Sequence, residues 1–387
     1  MRRPISIAAL VALLMSPALP ISAAKKDETS TRINAIFAPL ADEKSPGMAV
    51  LVRKNGRKIF ECGYGVRDLR TLAPIDAQTD FRLASFTKQF TAMATMLLVR
   101  NGKLRYDETL ADLFPDFPAY GRSITIRQLL THTSGLPDYD DYLMRKAENV
   151  KGTIWTADHQ IQDEEVLRLL KEASSGRFPP GTSWAYSNSG YVLLGVIIAK
   201  VSGEPFGQFL QERIFGPLHM SNTLVYMRGR NVVPNRAYGF TKEGDKFIET
   251  DQSPTSATLG DGGIYSNLED LAKWDDALES HRLLSKDEMA AALTPVKLAD
   301  GSQPHWPAEP GEDNLNPGKP VLYGFGWFLD PYHNHTSMWH SGSTMGFRTM
   351  IDRFTEDKLT IIILSNRTDL DPTKLALQTA DVCLRQQ

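Results

Sequence analysis

Hairpin signals at the two ends of the chain constrain its fold more than any other feature. Met48 to Arg53 and Lys58 to Gly65 read as strands, and Lys54-Asn55-Gly56-Arg57 between them carries the Asn-Gly pair of a tight turn. Thr349 to Phe354 and Leu359 to Leu364 form a second hairpin across Thr355-Glu356-Asp357-Lys358. The middle is largely helical: Ile124 to Thr131, Glu164 to Glu172, Tyr191 to Val201 and Phe206 to Ile214. A last helix opens at Asp371-Pro372, a cap followed by a first-turn proline, and runs to about Leu384. The expectation is an α/β (α+β) fold, an antiparallel sheet flanked by helices with an inserted, mostly helical region. The sheet region covers about 25–100 and 255–387 and the helical region about 105–250, with the functional cleft between them.

A chain of 387 residues buries a large core in one domain or two joined ones. Its formal charge of −3 becomes about −5 if Arg2 and Arg3 are removed, which gives no footing for nucleic acid. That removal is expected. Arg2 and Arg3, the apolar stretch Ile5 to Leu19 and the small residues Ser22-Ala23-Ala24 compose a secretory signal over 1–24. The apolar run is short and broken by Pro17 and Pro20, and no cysteine stands at the cleavage point. The sequence therefore predicts a secreted or periplasmic domain over 25–387 without a stable membrane anchor. Cys62 lies on the apolar side of a strand with Phe60 and Tyr64, and Cys383 shares a helical face with Ala376 and Ala380. Two separately buried thiols are the expectation, with a disulfide as the alternative for an exported pair.

Chemistry enters at Phe81-Arg82-Leu83-Ala84-Ser85-Phe86-Thr87-Lys88-Gln89-Phe90. A helix starting near Ser85 and stopping at Asn101-Gly102 places Ser85 and Lys88 one turn apart on one face, about 4.5 Å along the axis. A serine hydroxyl is a poor nucleophile until a neighbouring base takes its proton, and a neutral amine is such a base. S-x-x-K alone is cheap: Ser22-Ala23-Ala24-Lys25 also matches. Two later stations give it weight. Tyr186-Ser187-Asn188 offers a phenol for proton exchange and an amide to hold the lysine and a substrate carbonyl. Tyr265-Ser266-Asn267 and Tyr332-His333-Asn334 match the same pattern but look structural by position. His340-Ser341-Gly342, on a strand before the second hairpin, offers a cationic or donor side chain and backbone N–H groups for an oxyanion. The remaining histidines read as structural, and His132 as helix-end scaffolding.

Two loops stand out by composition. Val296 to Pro320, with His305 and Trp306, is too long for a simple connection and reads as a lid or rim, or else as a surface excursion. Ser253 to Gly263 ends in Gly260-Asp261-Gly262-Gly263 before a helix for which Ser266 and Glu269 are spaced as a capping box.

The ordered set Ser85-Phe86-Thr87-Lys88, Tyr186-Ser187-Asn188 and His340-Ser341-Gly342 resembles the penicillin-recognising serine hydrolases. Within them it is most similar to the class C β-lactamase-related family, which includes cephalosporinases, D-alanyl-D-alanine carboxypeptidases, D-aminopeptidases and family VIII esterases. Leu129 to Leu136, Pro180-Gly181, Tyr191 to Gly195, Gly262-Gly263 and Tyr323 to Trp327 extend the likeness over nearly the whole chain after the leader. The resemblance implies that Ser85 is acylated, that Lys88 takes its proton or tunes it, and that Tyr186 is the general acid/base. It further implies that Asn188 binds the substrate amide and that the N–H groups of Ser85 and Ser343 form the oxyanion hole. No metal or organic cofactor is implied.

One departure matters. Cephalosporinases of the family carry K-[TS]-G at the third station, where this chain has His340 and Gly342. An ordinary imidazole is mostly neutral at pH 7, which weakens recognition of a β-lactam or peptide carboxylate; Arg348 is the alternative cation. The leading expectation is an exported serine hydrolase acting on small-molecule esters or D-amino-acid amides. The alternatives are a D-alanyl-D-alanine carboxypeptidase or weak β-lactamase, and a penicillin-binding sensor that is acylated without turnover. The sequence offers no G-x-S-x-G elbow, no H-E-x-x-H zinc helix and no P-loop. The oligomeric state is not legible in it.

Overall fold

The computed structural model describes residues 21–40, 42–141, 143, 155–308 and 316–384. Most of the leader expected over 1–24 lies outside these residues. Among them, no single helix is long and apolar enough to cross a membrane.

Five antiparallel strands form the main sheet: β1 (Met48–Lys54), β2 (Arg57–Tyr64), β3 (Ser337–Thr344), β4 (Phe347–Phe354) and β5 (Leu359–Ser365). Their order is β3-β4-β5-β1-β2, so the two terminal hairpins meet where β1 pairs with β5, Met48 opposite Ser365 and Lys54 opposite Leu359. The β1–β2 turn is the expected one, with Asn55 and Gly56 both at positive φ, 53° and 70°.

β1 reads Met-Ala-Val-Leu-Val because it is buried on both faces. Met48, Val50 and Val52 pack with Ile33 and Phe37 of α1 (Ile21–Phe37) and with Leu375, Ala376 and Ala380 of the C-terminal helix (Pro372–Leu384). Ala49 and Leu51 join the larger core on the other side, with Phe86 and Phe90. Cys383 is buried in the first of these layers and Cys62 is half-buried; both are free thiols.

Through the larger core runs α2 (Lys88–Arg100), buried on every side from Lys88 to Leu98. Its stop is the predicted one, Asn101 followed by Gly102 at φ 67°. Its start is not. Ala84–Thr87 form a 3-10 turn and the α-helix begins at Lys88, because Ala84 is held at φ 51° between the small strand Phe81–Arg82 and the helix.

Across α2 lies the helical region, with α3 (Asp163–Glu172) and α4 (Asn188–Ser202), which Gly203 ends at φ 77°. The segment expected as one helix over Phe206 to Ile214 is an α-turn, Phe206–Leu210, continued by a π-turn, Gln211–Phe215. α5 (Leu268–Glu279) lies against the sheet. The expected capping box does not form: Asn267, one residue on, is the cap and accepts from the Asp270 N–H at 3.0 Å, while the Asp270 carboxylate turns to Asn222, Thr223 and Lys273. Ser266 instead ends the strand Ile264–Ser266 and is bonded to Thr223. For the C-terminal helix, α6, the expectation holds from Pro372 to Leu384, with Asp371 accepting from the Lys374 N–H.

Candidate active site

The site forms where the turn Ala84–Thr87, the start of α4 and the outer strand β3 meet. Thr349 Oγ1 donates to the Leu83 carbonyl at 2.7 Å and ties the turn to β4. Gly342 lets β3 come equally close, since a Cβ there would stand 2.1 Å from the Leu83 oxygen and 2.3 Å from Thr349 Oγ1. That spacing is why the third station needs a glycine. Ser343, next along β3, is exposed.

Trp339 exchanges both backbone hydrogen bonds with Phe328 on the outer side of β3. By the two-residue period of a strand, the N–H and C=O groups of Ser341 and Ser343 lie along that same edge, beyond the Phe328 bridge.

Lys88 is fully buried. Its Nζ lies 3.0 Å from Ser85 Oγ, 2.9 Å from Asn188 Oδ1 and 3.1 Å from the Asp261 carbonyl oxygen. Two of these neighbours are pure acceptors. In the neutral amine, the two N–H bonds go to Asn188 and Asp261, and the lone pair then faces the Ser85 hydroxyl. The expected convergence is met for Ser85, Lys88 and Asn188. Tyr186 meets the amine through its ring, whose centroid is 4.9 Å from Nζ.

Local chemistry fixes the second station. Ser187 caps α4 by accepting from the Gly190 N–H, so Asn188 is the first residue of the helix and Tyr186 precedes it. Asn188 uses both ends of its amide, Oδ1 on Lys88 and Nδ2 on Asp140 Oδ2 at 3.0 Å. Asp138 Oδ2 accepts the Asn188 backbone N–H at 2.7 Å. Burial and the neighbouring carboxylates push the Asp138 carboxyl up to about 6 and that of Asp140 up to about 7.

His340 is the neutral donor side chain that an imidazole at this station implies, rather than a cation. It is buried, its Nδ1–H donates to the Ser341 carbonyl at 2.6 Å, and Nε2 lies 3.4 Å from the Tyr323 hydroxyl. Burial, reinforced by the charge of Lys88, pulls its pKa down to about 3, so the ring is neutral at physiological pH. Arg348, the alternative cation, donates from Nη1 to the Thr344 and Phe347 carbonyls of the β3–β4 turn.

Several residues of the site were not singled out from the sequence. Asp138 and Asp140 stand in the acidic run after Leu136-Pro137, which was the available signal. The Asp261 carbonyl left none, since every residue has one; the glycines around it were noticed for their geometry. Gly260 is required by packing, as a Cβ would sit 2.3 Å from the Tyr191 oxygen. His132 is scaffolding, as expected, but for the site itself. Its Nδ1 accepts the Ser187 N–H at 3.1 Å, and its ring lies 4.4 Å from Tyr186 and 4.7 Å from Tyr323. Burial holds it neutral. The loop after Val296 contributes Trp306, buried against Trp184 and Phe328 behind this aromatic layer; its residues 309–315 lie outside the described ones. The two decoy motifs are structural: the Tyr265 hydroxyl accepts from Arg236, and that of Tyr332 donates to Asp381.

The Beta-lactamase family model matches residues 33–384 of the chain. The chain belongs to the β-lactamase family. Its curated relatives include penicillin-binding protein 4* of Bacillus subtilis, 31% identical over 358 residues that span 89% of this chain and 73% of that protein. They also include a D-aminopeptidase of Gluconobacter oxydans, 26% identical over 88% of this chain but 59% of that protein's length. Among solved structures, a D-amino acid amidase from Ochrobactrum anthropi superposes with a TM-score of 0.75 over 92% of this chain and 99% of its own, at 23% identity, a likeness of fold alone. Membership in this β-lactamase and penicillin-binding-protein group makes the chain a serine hydrolase.

Proposed function

We propose that the protein hydrolyses small esters or D-amino-acid amides through an acyl-enzyme on Ser85. The observation that carries the proposal is the buried Lys88 amine, held by two acceptors with Ser85 Oγ as its third neighbour. Lys88 takes the hydroxyl proton as Oγ attacks the substrate carbonyl carbon, and the carbonyl electron pair becomes an oxyanion. The N–H groups of Ser85 and Ser343 bind that oxyanion. The tetrahedral centre then collapses, the alcohol or amine leaves with a proton delivered by way of Tyr186, and an ester on Ser85 remains. Water repeats the sequence and releases the acid. Asn188 and the edge of β3 align the acyl part.

The neutral His340 favours substrates without a carboxylate next to the reacting bond. A second reading, acylation by penicillins or cephalosporins with or without turnover, draws on the names of the Bacillus subtilis relatives, two of which are called penicillin-binding. One experiment separates these. Wild type and Ser85→Ala are compared on a nitrophenyl ester, a D-alanyl anilide and a chromogenic cephalosporin, with intact-mass detection of adducts. The expected result is an adduct on Ser85 and a loss of about 10³-fold or more in the variant on the ester or anilide. Equal turnover by the two proteins on every substrate would end the proposal.

A further inference from the structure

We propose that Asp140 is a positioning residue for the Ser85–Lys88 pair, fixing the Asn188 amide and supplying the negative charge that answers the Lys88 ammonium. The inference rests on the acyl-enzyme proposal above. An amide has an acceptor end and a donor end, and only one orientation of Asn188 serves Lys88. With Oδ1 on Nζ at 2.9 Å it accepts from the amine; flipped, it would turn an NH2 group against it. Asp140 chooses between them. An ionised carboxylate is an acceptor only, so at 3.0 Å from Nδ2 it holds the donor end and leaves Oδ1 to the lysine.

Asp138 pins the residue itself through the backbone N–H, which fixes the place of the amide but not its direction. Lys88, Asn188 and Asp140 thus form a line from base to amide to carboxylate. When the Ser85 proton moves to Nζ, a positive charge appears in a buried site, and the carboxylate one amide away stabilises it.

The other carboxyls nearby are differently engaged. Asp138 accepts from the backbone of Asn188 and Asp140, and Asp261 Oδ2 accepts from the Tyr139 hydroxyl at 2.8 Å. The groups that act on Asp140 are Asp138 and Asp261, which with burial push its carboxyl up, and Asn188 and Lys88, which pull it down. The balance near 7 means that its charge is lost on mild acidification.

The test is acylation kinetics on the nitrophenyl ester, followed between about pH 5 and pH 9, for wild type, Asp140→Asn and Asp140→Ala. Asp140→Ala is expected to slow acylation by about 10- to 100-fold, the scale of a misplaced reacting group, with little change in KM. Asp140→Asn is nearly isosteric and still accepts from Nδ2, so it recovers part of the rate. It has no titrating carboxyl, so the acid limb of kcat/KM near pH 7 disappears. Wild-type rates and profiles in both variants would overturn the inference. So would a parallel loss at every pH with the limb in place, the mark of a merely structural role. If Ser85→Ala abolishes turnover while the Asp140 variants behave as wild type, this inference falls alone. If Ser85→Ala is active, the acyl-enzyme proposal itself falls.

Discussion

Two buried ionisable side chains, Asp275 and Lys88, are handled in opposite ways. Asp275 on α5 is met directly by cations: Arg353 Nε at 2.7 Å and Arg53 Nη1, with Thr360 Oγ1 at 2.8 Å completing the cage. Those arginines stand on β4 and β1, so the cluster clamps α5 to the sheet. Lys88 is buried as deeply, but its contacts are an amide oxygen, a carbonyl oxygen and a hydroxyl. The carboxylate that answers it stands one residue further away. The first arrangement clamps two elements together, and the second is the one the proposed base requires.

The comparison breaks most sharply under substitution. Lys88→Met is expected to cost about 10³-fold or more in kcat/KM, beyond 4 kcal/mol in barrier, while the protein still unfolds cooperatively. Asp275→Ala should do the reverse. It leaves Arg53 and Arg353 short of their shared partner and costs about 3–5 kcal/mol of stability, with kcat of the folded fraction retained. Urea unfolding and steady-state kinetics on both variants check the pair, and an inactive, fully stable Asp275→Ala would erase the distinction.

A second contrast is steric. Gly342→Ala adds a methyl where the Leu83 oxygen stands 2.1 Å away, so β3 must move off the nucleophile turn. We expect about 1–3 kcal/mol of destabilisation and a fall of about 100-fold in kcat/KM. Denaturation and ester hydrolysis measured side by side would expose an untouched activity.

A last effect, read as a slope against pH, sharpens the electrostatic side. Asp80 is buried, and its bonded side-chain partner is the amide of Asn267 at 2.9 Å rather than a cation. Burial pushes its carboxyl up to about 8. A raised value means that the folded state keeps a proton that the unfolded chain gives up above about pH 4. This contribution to stability is therefore full in acid and is lost as pH rises through about 8, at no more than about 1.4 kcal/mol per pH unit. Asp80→Asn should flatten that part of the stability profile, and identical slopes in the two proteins would refute the assignment.

How far the sequence carried depended on the range of the determining interaction. The hairpins, α6 and the stop of α2 are written in local chemistry: Asn55-Gly56, Asp371-Pro372 and Asn101-Gly102 each act within a few residues. The three stations were legible through their order and flanking sequence, since S-x-x-K and Y-x-N each recur elsewhere in the chain. The start of α2 differs from the expected one because Ala84 is held at φ 51° between the strand Phe81–Arg82 and the helix, and not by its own propensity. The expected capping box failed, as Ser266 is claimed by Thr223 across a strand. That His340 is neutral follows from an ordinary imidazole; how firmly burial holds it so was out of reach for a similar reason, since Tyr323, Phe328 and Lys88 come from distant segments. Asp138 and Asp140 were visible as an acidic run, yet nothing in the order of residues said that Asn188 would meet them.

The pairing of β1 with β5 has a consequence for the growing polypeptide. During synthesis the first hairpin exists long before the strand that covers its flank, and that flank stays bare until residues 359–365 leave the ribosome. A nascent chain halted short of them carries the serine and the lysine but has no completed sheet to press β3 against them. The sheet is thus complete only near the end of translation, and its uncovered strand is exposed until then to edge-to-edge association.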